Sequence, residues 1–401
     1  MWGDITALDP GLRDILFAIL ALSFVVFVAL FGHVPALRRT PIGWGYTFIW
    51  KTAPGWLTRV DMAVTGGLTV RSVKNLFNYL MYEKHPLIQL FYLGLVSGGL
   101  YLFYLGGWPR VWSPLHSFCI PIVASLPYIS LYLASYSDPG YITAANHQQA
   151  MKLYPFDYAN FKPGYHCSTC HFEKPARSKH CPICKHCIAK EDHHCVWINN
   201  CVGHKNIKYF FAFLMSTNIL LTYGFYLTYF MIRQIVIESL PAGSSFSDMS
   251  WGAYSNQFFL CLILDVWLGI VCLLCLMTGL MSYGFTGYHL YLLWAGTTTN
   301  ETFKWADWKE DIAAGEVWMA RDPSRNPYTG RWPTATRGPL NAHNWPVQTD
   351  KIIYRIVNQD EMEYLDKHLV WNRVESLEEV ENIYDIGFWR TLHGVIWDAK
   401  F

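Results

Sequence analysis

The chain has 401 residues, of which 52% are hydrophobic and only 15% charged, with a formal net charge of +1. A soluble protein of this length would carry about 25% charged residues, so the composition excludes a wholly soluble fold and points to membrane embedding. Near-neutrality also leaves no overall field for nucleic acid, and any basic patch has to be argued locally.

Five apolar stretches are long enough to cross a hydrocarbon core of about 30 Å, which takes about 20 residues. They run approximately over 15–35, 87–108, 112–136, 209–232 and 257–283. The first is preceded by Asp4, Asp9 and Asp14 against a single Arg13. That is the wrong charge for a signal peptide, so 1–37 reads as a retained span with a lumenal amino terminus. Arg38, Arg39, Lys51, Arg59, Arg71, Lys74 and Lys84 crowd the following segment, whereas the loops near 109 and 233–256 are poor in Lys and Arg. This asymmetry places 38–86 in the cytosol. Within it, Val70, Val73, Leu76, Phe77, Leu80 and Met81 recur at helical spacing, opposite Arg71, Lys74, Asn75 and Asn78. The pattern suits an interfacial helix and equally suits a helix packed on the protein's own cytosolic domain.

Spans two and three then occupy 87–137, a cytosolic segment 138–208, spans four and five 209–301, and a cytosolic tail 302–401. Asp265 is the only acidic residue within an expected span, and its place near the lumenal end favours snorkelling or a pairing within the bundle. Asn300-Glu301-Thr302 matches a glycosylation acceptor, but this topology keeps it cytosolic and makes it a false positive. In the tail, the Pro/Gly-rich stretch Asp322–Pro346 reads as irregular and Asp360–Glu381 as helical. Cys119, Cys261, Cys272 and Cys275 lie in apolar runs and read as packing residues.

Residues 167–201 hold the other seven of the 11 cysteines. Their spacing is Cys-x2-Cys-x9-His-Cys-x2-Cys-x2-Cys-x4-Asp-His-His-Cys-x5-Cys, which supplies thiolate and imidazole ligands at separations suited to tetrahedral zinc. Cytosolic thiols stay reduced, which argues against disulfides. Two sites of three Cys and one His would use six thiolates and leave one cysteine beside two histidines. In an extended strand, His193 and Cys195 share a face while His194 turns the other way. His193 can then take the Cys195 proton, and Asp192 can fix the His193 tautomer. If all four residues simply belonged to zinc sites, one cysteine and one histidine would have no role.

The segment resembles the cysteine-rich domain of DHHC protein S-acyltransferases, or palmitoyltransferases. Lys174-Pro175, Arg177, His180-Cys181, Asn206 and Phe210 fall where the family pattern has them. So do Asp138-Pro139-Gly140 after the third span, Thr298-Thr299-Asn300-Glu301 after the last, and the aromatic motif at Asn382–Gly387. The resemblance covers roughly 86–301 and that tail element. Val196 departs from the family's usual proline, and three spans rather than two precede the cysteine-rich domain. Both features resemble the fungal spore-wall branch, whose members act on membrane-anchored SNARE proteins.

The resemblance implies an all-α polytopic membrane protein of about five transmembrane helices, with a cytosolic zinc-stapled domain between spans three and four. It implies two structural zinc ions, one on Cys167, Cys170, His180 and Cys187 and the other on Cys181, Cys184, His194 and Cys201. It also implies a palmitoyl-CoA co-substrate and an acyl-enzyme on Cys195, served by His193 and Asp192. The acyl chain needs an apolar slot, because each buried CH2 contributes about 0.8 kcal/mol, while the CoA phosphates stay in water. This calls for a tunnel among the spans opening under Cys195. Trp197 suits its mouth, or serves as an interfacial anchor. Lys174, Arg177 and Lys179 are candidates for the CoA phosphates, or face anionic lipid. The expected location is the endoplasmic reticulum membrane, with the bilayer and membrane proteins bearing juxtamembrane cysteines as partners. Two other classes compete: an inactive zinc-stapled membrane adaptor, which the intact Asp192–Cys195 motif disfavours, and a zinc-knuckle nucleic-acid binder, which the spans disfavour.

Overall fold

The computed structural model describes residues 28, 39–240, 247, 249–322, 351–356 and 359–397. Apart from Val28, the expected first span at 15–35 lies outside them, as does the irregular stretch after Asp322. The chain divides into two compact units, Met1–Glu83 and Lys84–Phe401.

In the first unit, α1 (Pro41–Thr47) runs through a π-helical turn, Phe48–Thr52, into α2 (Ala53–Thr65). Gly66 and Gly67, with φ of 68° and 86°, reverse the chain in a conformation that costs other residues more. The Asp61 carboxylate then accepts from the Thr69 and Val70 amides and starts α3 (Leu68–Tyr82). A helix thus stands where the periodicity places one, and Val73, Leu76 and Phe77 are exposed along it. The two helices before it were not anticipated.

Among the described residues, four helices of the second unit are long and apolar enough to cross a membrane: α4 (Leu87–Gly106), α5 (Pro114–Tyr136), α7 (Ile207–Glu238) and α9 (Val266–Trp294). Between them lie the short helices α6 (His147–Met151) and α8 (Trp251–Leu264). Helix α7 packs along both α5 and α9, and α9 also along α4. Polar pairs stitch these contacts: Ser130 with Ser216 at 2.7 Å, Tyr92 with Thr217 at 2.8 Å, and Asn218 with Thr286 at 2.9 Å. Such interhelical bonds contribute about 0.6 kcal/mol each on average.

The last span differs from its expected 257–283. The apolar run is broken at Asp265, whose carboxylate caps α9 through the Leu268 amide and pairs with Arg110 at 3.0 Å. Uniform hydrophobicity on both sides of the break hid it, and the span begins and ends later in the chain. Asp265 therefore uses the pairing that its position suggested.

The elements outside the long apolar helices are small. Strands β1 (Tyr141–Ile142), β2 (Lys179–Cys181) and β3 (His186–Ile188) form an antiparallel sheet of order β1-β3-β2, and β4 (His193–Cys195) pairs with β5 (Asn200–Val202). The tail consists of helix α10 (Thr299–Ala314), a sheet of β6 (Val317–Arg321), β7 (Lys351–Arg355) and β8 (Trp371–Arg373) in the order β7-β6-β8, and helix α11 (Phe388–Trp397). The helix expected at Asp360–Glu381 is instead two 3-10 turns, Gln359–Tyr364 and Leu377–Glu379, flanking β8. Pairing of Trp371–Arg373 with β6 overrides the local composition. Ala159, Ile312, Val317, Ile353, Val374 and Val380 share one apolar core, so the tail is docked on the segment that leads into the cysteine-rich domain.

Candidate active site and metal centres

Two Cys-x2-Cys turns have the same construction. Cys170 and Cys184 direct their amides at the sulfurs of Cys167 and Cys181, at 3.4 and 3.3 Å. His171 and Lys185 close the turns with φ of 58° and 59°. The remaining ligands come from hairpins, where His180 stands opposite Cys187 and His194 opposite Cys201. Cys167, Cys170 and Cys187 sulfurs lie 3.6, 3.4 and 3.9 Å from His180 Nδ1. Cys181, Cys184 and Cys201 sulfurs lie 3.7, 3.4 and 3.6 Å from His194 Nδ1. Tetrahedral zinc, with Zn–S of about 2.3 Å and Zn–N of about 2.0–2.1 Å, requires sulfur–nitrogen edges of about 3.6 Å. Donor set and spacing both fit zinc, in the interleaved grouping expected. The second turn, Cys181–Cys184, sits in the β2–β3 hairpin that supplies the first centre, so neither centre can form without the other's scaffold.

Cys195 stands outside both groups. On β4 it faces away from His194 and is only 3% exposed, in an apolar cluster with Leu131 and Ala134 of α5 and Phe210, Phe213 and Leu214 of α7. His193 shares its face, and its Nδ1 is hydrogen-bonded to Asp192 Oδ2 at 2.6 Å. Burial alone would make the imidazole less basic, but its interactions with Asp192 and Cys195 outweigh that and raise its pKa to about 10. A protonated imidazole held beside sulfur is the setting in which a thiolate forms and attacks.

Asp192 is fixed from a distant part of the chain. Thr298, the cap of α10, exchanges bonds with Glu301 in a capping box. The next amide, Thr299 N–H, donates to Asp192 Oδ1 at 2.6 Å, and the Thr299 hydroxyl donates to Oδ2 at 3.1 Å. Asn300 N–H donates to the Asp192 carbonyl at 3.1 Å. The carboxylate thus occupies the positive end of a helix, where amides lack intrahelical partners. Burial would raise its pKa, but the His193 and Thr299 bonds prevail and hold it below the ordinary carboxylate range.

Arg177 corrects an expectation. It is 2% exposed, and Nε and Nη2 each donate to a Glu301 oxygen at 2.6 Å, with a further bond to Gly296 O at 3.0 Å. Its guanidinium lies 4.4 Å from the Tyr384 ring, so no face is left for a CoA phosphate. The residue is a strut joining the cysteine-rich domain, the end of the last span and the tail motif. Gly296 must be glycine there: φ is +61°, and a Cβ would come within 2.7 Å of Tyr384 O. Asn382 completes the joint by donating to Ala295 O at 3.1 Å. Asn300 is buried, in keeping with its dismissal as a glycosylation site.

Lys179 and Trp197 are exposed and Lys174 half-buried. Burial lowers the pKa of Lys304, whose ammonium donates to Asn160 O at 3.1 Å and lies 3.8 Å over the Phe161 ring. An apolar cavity of about 120 Å³ lies among α4, α5, α7 and α9, walled by Leu95, Phe103, Leu220, Gly224, Val271 and Cys275. Cys195 does not line it. The Leu220–Leu227 stretch lies about 10–20 Å farther along α7 than Phe213, at 1.5 Å per residue. His289 of α9 is a residue missed from sequence: it groups with Asp192 and His193. A histidine in an apolar run is costly and was the available signal.

A family model described as DHHC palmitoyltransferase matches residues 160–306. Palmitoyltransferase swf1 of Emericella nidulans is 37% identical over 400 residues, covering 95% of this chain and 96% of that protein. Palmitoyltransferase SWF1 of Neurospora crassa is 40% identical over 393 residues, covering 93% and 89% respectively. Palmitoyltransferase ZDHHC4 of Mus musculus is 31% identical over 276 residues, covering 62% and 78%. With the paired Cys/His centres and the Asp192–Cys195 strand already in place, these similarities establish that the chain belongs to the DHHC palmitoyltransferase family and that its activity is protein S-palmitoyl transfer.

Proposed function

We propose that the transfer passes through Cys195. The observation that carries this reading is that Cys195 is the one cysteine of the cluster outside both metal groups, with His193 and then Asp192 aligned behind it. The Cys195 thiolate attacks the carbonyl carbon of palmitoyl-CoA, a new C–S bond forms, and the bond to the CoA sulfur breaks. His193 protonates the departing CoA thiolate. A substrate cysteine then gives its proton to His193 and attacks the acyl-enzyme, which restores the Cys195 thiolate. Cys195→Ser should retain zinc and fold yet form no hydroxylamine-labile adduct. His193→Ala should slow autoacylation by about 100-fold or more, the usual cost of losing a general acid–base group. Thioester labelling of Cys195→Ser would overturn the assignment and favour the adaptor reading.

Lys174 and Lys179 are the groups we assign to the CoA phosphates, and the cavity deeper in the bundle is our assignment for the far part of the acyl chain. Trp197, on the turn of the Cys195 hairpin, lines the approach.

Both metal groups are assigned to zinc with four protein ligands each, a closed arrangement that builds structure and leaves no open position for chemistry. Because such sites contribute folding energy directly, Cys170→Ser or Cys184→Ser should cause misfolding and loss of expression. Elemental analysis of active protein should find about two zinc ions per chain; one or none would contradict the assignment.

Five crossings with a lumenal amino terminus, in the endoplasmic reticulum membrane, remain our reading of the topology. A tag at Met1 should be protected in sealed microsomes and a tag at Phe401 cleavable, and the same outcome at both ends would refute it. Cys195 is packed against the ends of two membrane helices, so its reach from the bilayer is short. The preferred substrates are therefore cysteines directly beside a transmembrane helix, single-span SNAREs among them. Moving such a cysteine outward on a flexible linker, which reaches about 5–6 Å times the square root of its length, should reduce acylation steeply within about ten residues. Constant modification over about 30 residues would show that tethering alone decides.

A further inference from the structure

His289 approaches the reacting pair from the membrane side and has no part in the steps above. It lies on α9 close to the Thr298 cap, is 5% exposed, and is walled by Phe285 at 4.5 Å, Phe210 at 4.9 Å and Tyr288 at 5.5 Å. Its Nδ1 is 3.7 Å from Asp192 Oδ2. That oxygen also receives His193 Nδ1 at 2.6 Å and the Thr299 hydroxyl at 3.1 Å. The His289 ring lies 5.4 Å from the His193 ring, tilted by 30°.

An aromatic filler of this cage would be better served by phenylalanine, since a buried imidazole carries a desolvation cost that needs a return. The return is visible in the geometry. Thr299 restrains the carboxylate from the α10 side, and His289 reaches it from α9. We infer that His289 is a positioning residue: it braces the Asp192 carboxylate opposite Thr299 and confines the His193 ring, keeping both in line with Cys195. This rests on the assignment of Cys195 and His193 made above. At 3.7 Å the contact is longer than a direct hydrogen bond, so His289 acts through polarity and confinement, and its loss costs less than the loss of His193 itself.

The test is single-turnover autoacylation of the purified full-length protein by palmitoyl-CoA. His289→Phe preserves ring volume and removes both nitrogens, whereas His289→Asn restores a polar nitrogen near the Nδ1 position without the ring. His289→Phe should lower the rate constant about tenfold, or ~1.4 kcal/mol, with KM for palmitoyl-CoA and bound zinc as in the parent. His289→Asn should recover most of that loss. In an Asp192→Asn background His289→Phe should add nothing, because the effect is transmitted through the carboxylate. The inference is overturned if His289→Phe reacts at the parent rate, if it slows both backgrounds equally, or if only His289→Asn is impaired, as for a space-filling ring. Autoacylation that persists in Cys195→Ser would instead locate the error in the nucleophile assignment.

Discussion

The buried carboxylate of Asp192 is the point on which the structure converges. It joins the hairpin that carries Cys195, together with His194 and Cys201 of the second Cys/His group, to a helix start, Thr299, that directly follows the last long apolar helix. Removing a charge of this kind from water is expensive unless it is fully partnered. Here the partners are an imidazole, a hydroxyl and a helix amide, drawn from segments more than a hundred residues apart in the chain. The same joint holds a second buried ion pair, Arg177 with Glu301, and Glu301 is also the acid of the capping box that orients the Thr299 amide. Membrane bundle, cysteine-rich domain and tail therefore share one hydrogen-bonded junction.

This junction accounts for why the cysteine-rich segment is built from strands of three residues. Elements that short have almost no stability of their own, and two Cys/His centres supply the missing constraint. Interleaving the centres means that the β2–β3 hairpin serves both. The Cys195 hairpin then lies against α5 and α7, so Cys195 faces apolar helix residues on one side, while the exposed Lys179 lies on β2. An amphiphile with an apolar chain and phosphates at opposite ends suits such a boundary.

Ligand chemistry was legible in the sequence because it is local. Cys-x2-Cys spacing, the odd cysteine and the alternation of His193, His194 and Cys195 on a strand all survive in the structure. Long apolar helices near 87–108, 112–136 and 209–232 were legible for the same reason, as each is set by its own composition. Failures arose where a distant partner decides the outcome. Arg177 reads as a free cation among basic neighbours, yet Glu301, more than a hundred residues later, claims it completely. Asp265 caps the start of the last long helix and also pairs with Arg110, far from it in sequence. Trp371–Arg373 becomes a strand only because Val317–Arg321 offers an edge. His289 fell beyond the expected end of the last span, and its pairing with Asp192 is purely tertiary.

The claim that the α10 start sets the geometry of the nucleophile is tested most directly by Thr299→Val. This change keeps the side-chain shape and the backbone amide but deletes the hydroxyl on Asp192 Oδ2. Hydrogen bonds to charged groups contribute about 1.5–3 kcal/mol, so some thermal stability should be lost, and the single-turnover rate of Cys195 acylation should fall about tenfold or more in protein that stays folded and zinc-replete. An unchanged acylation rate in a folded, zinc-replete Thr299→Val protein would contradict the account.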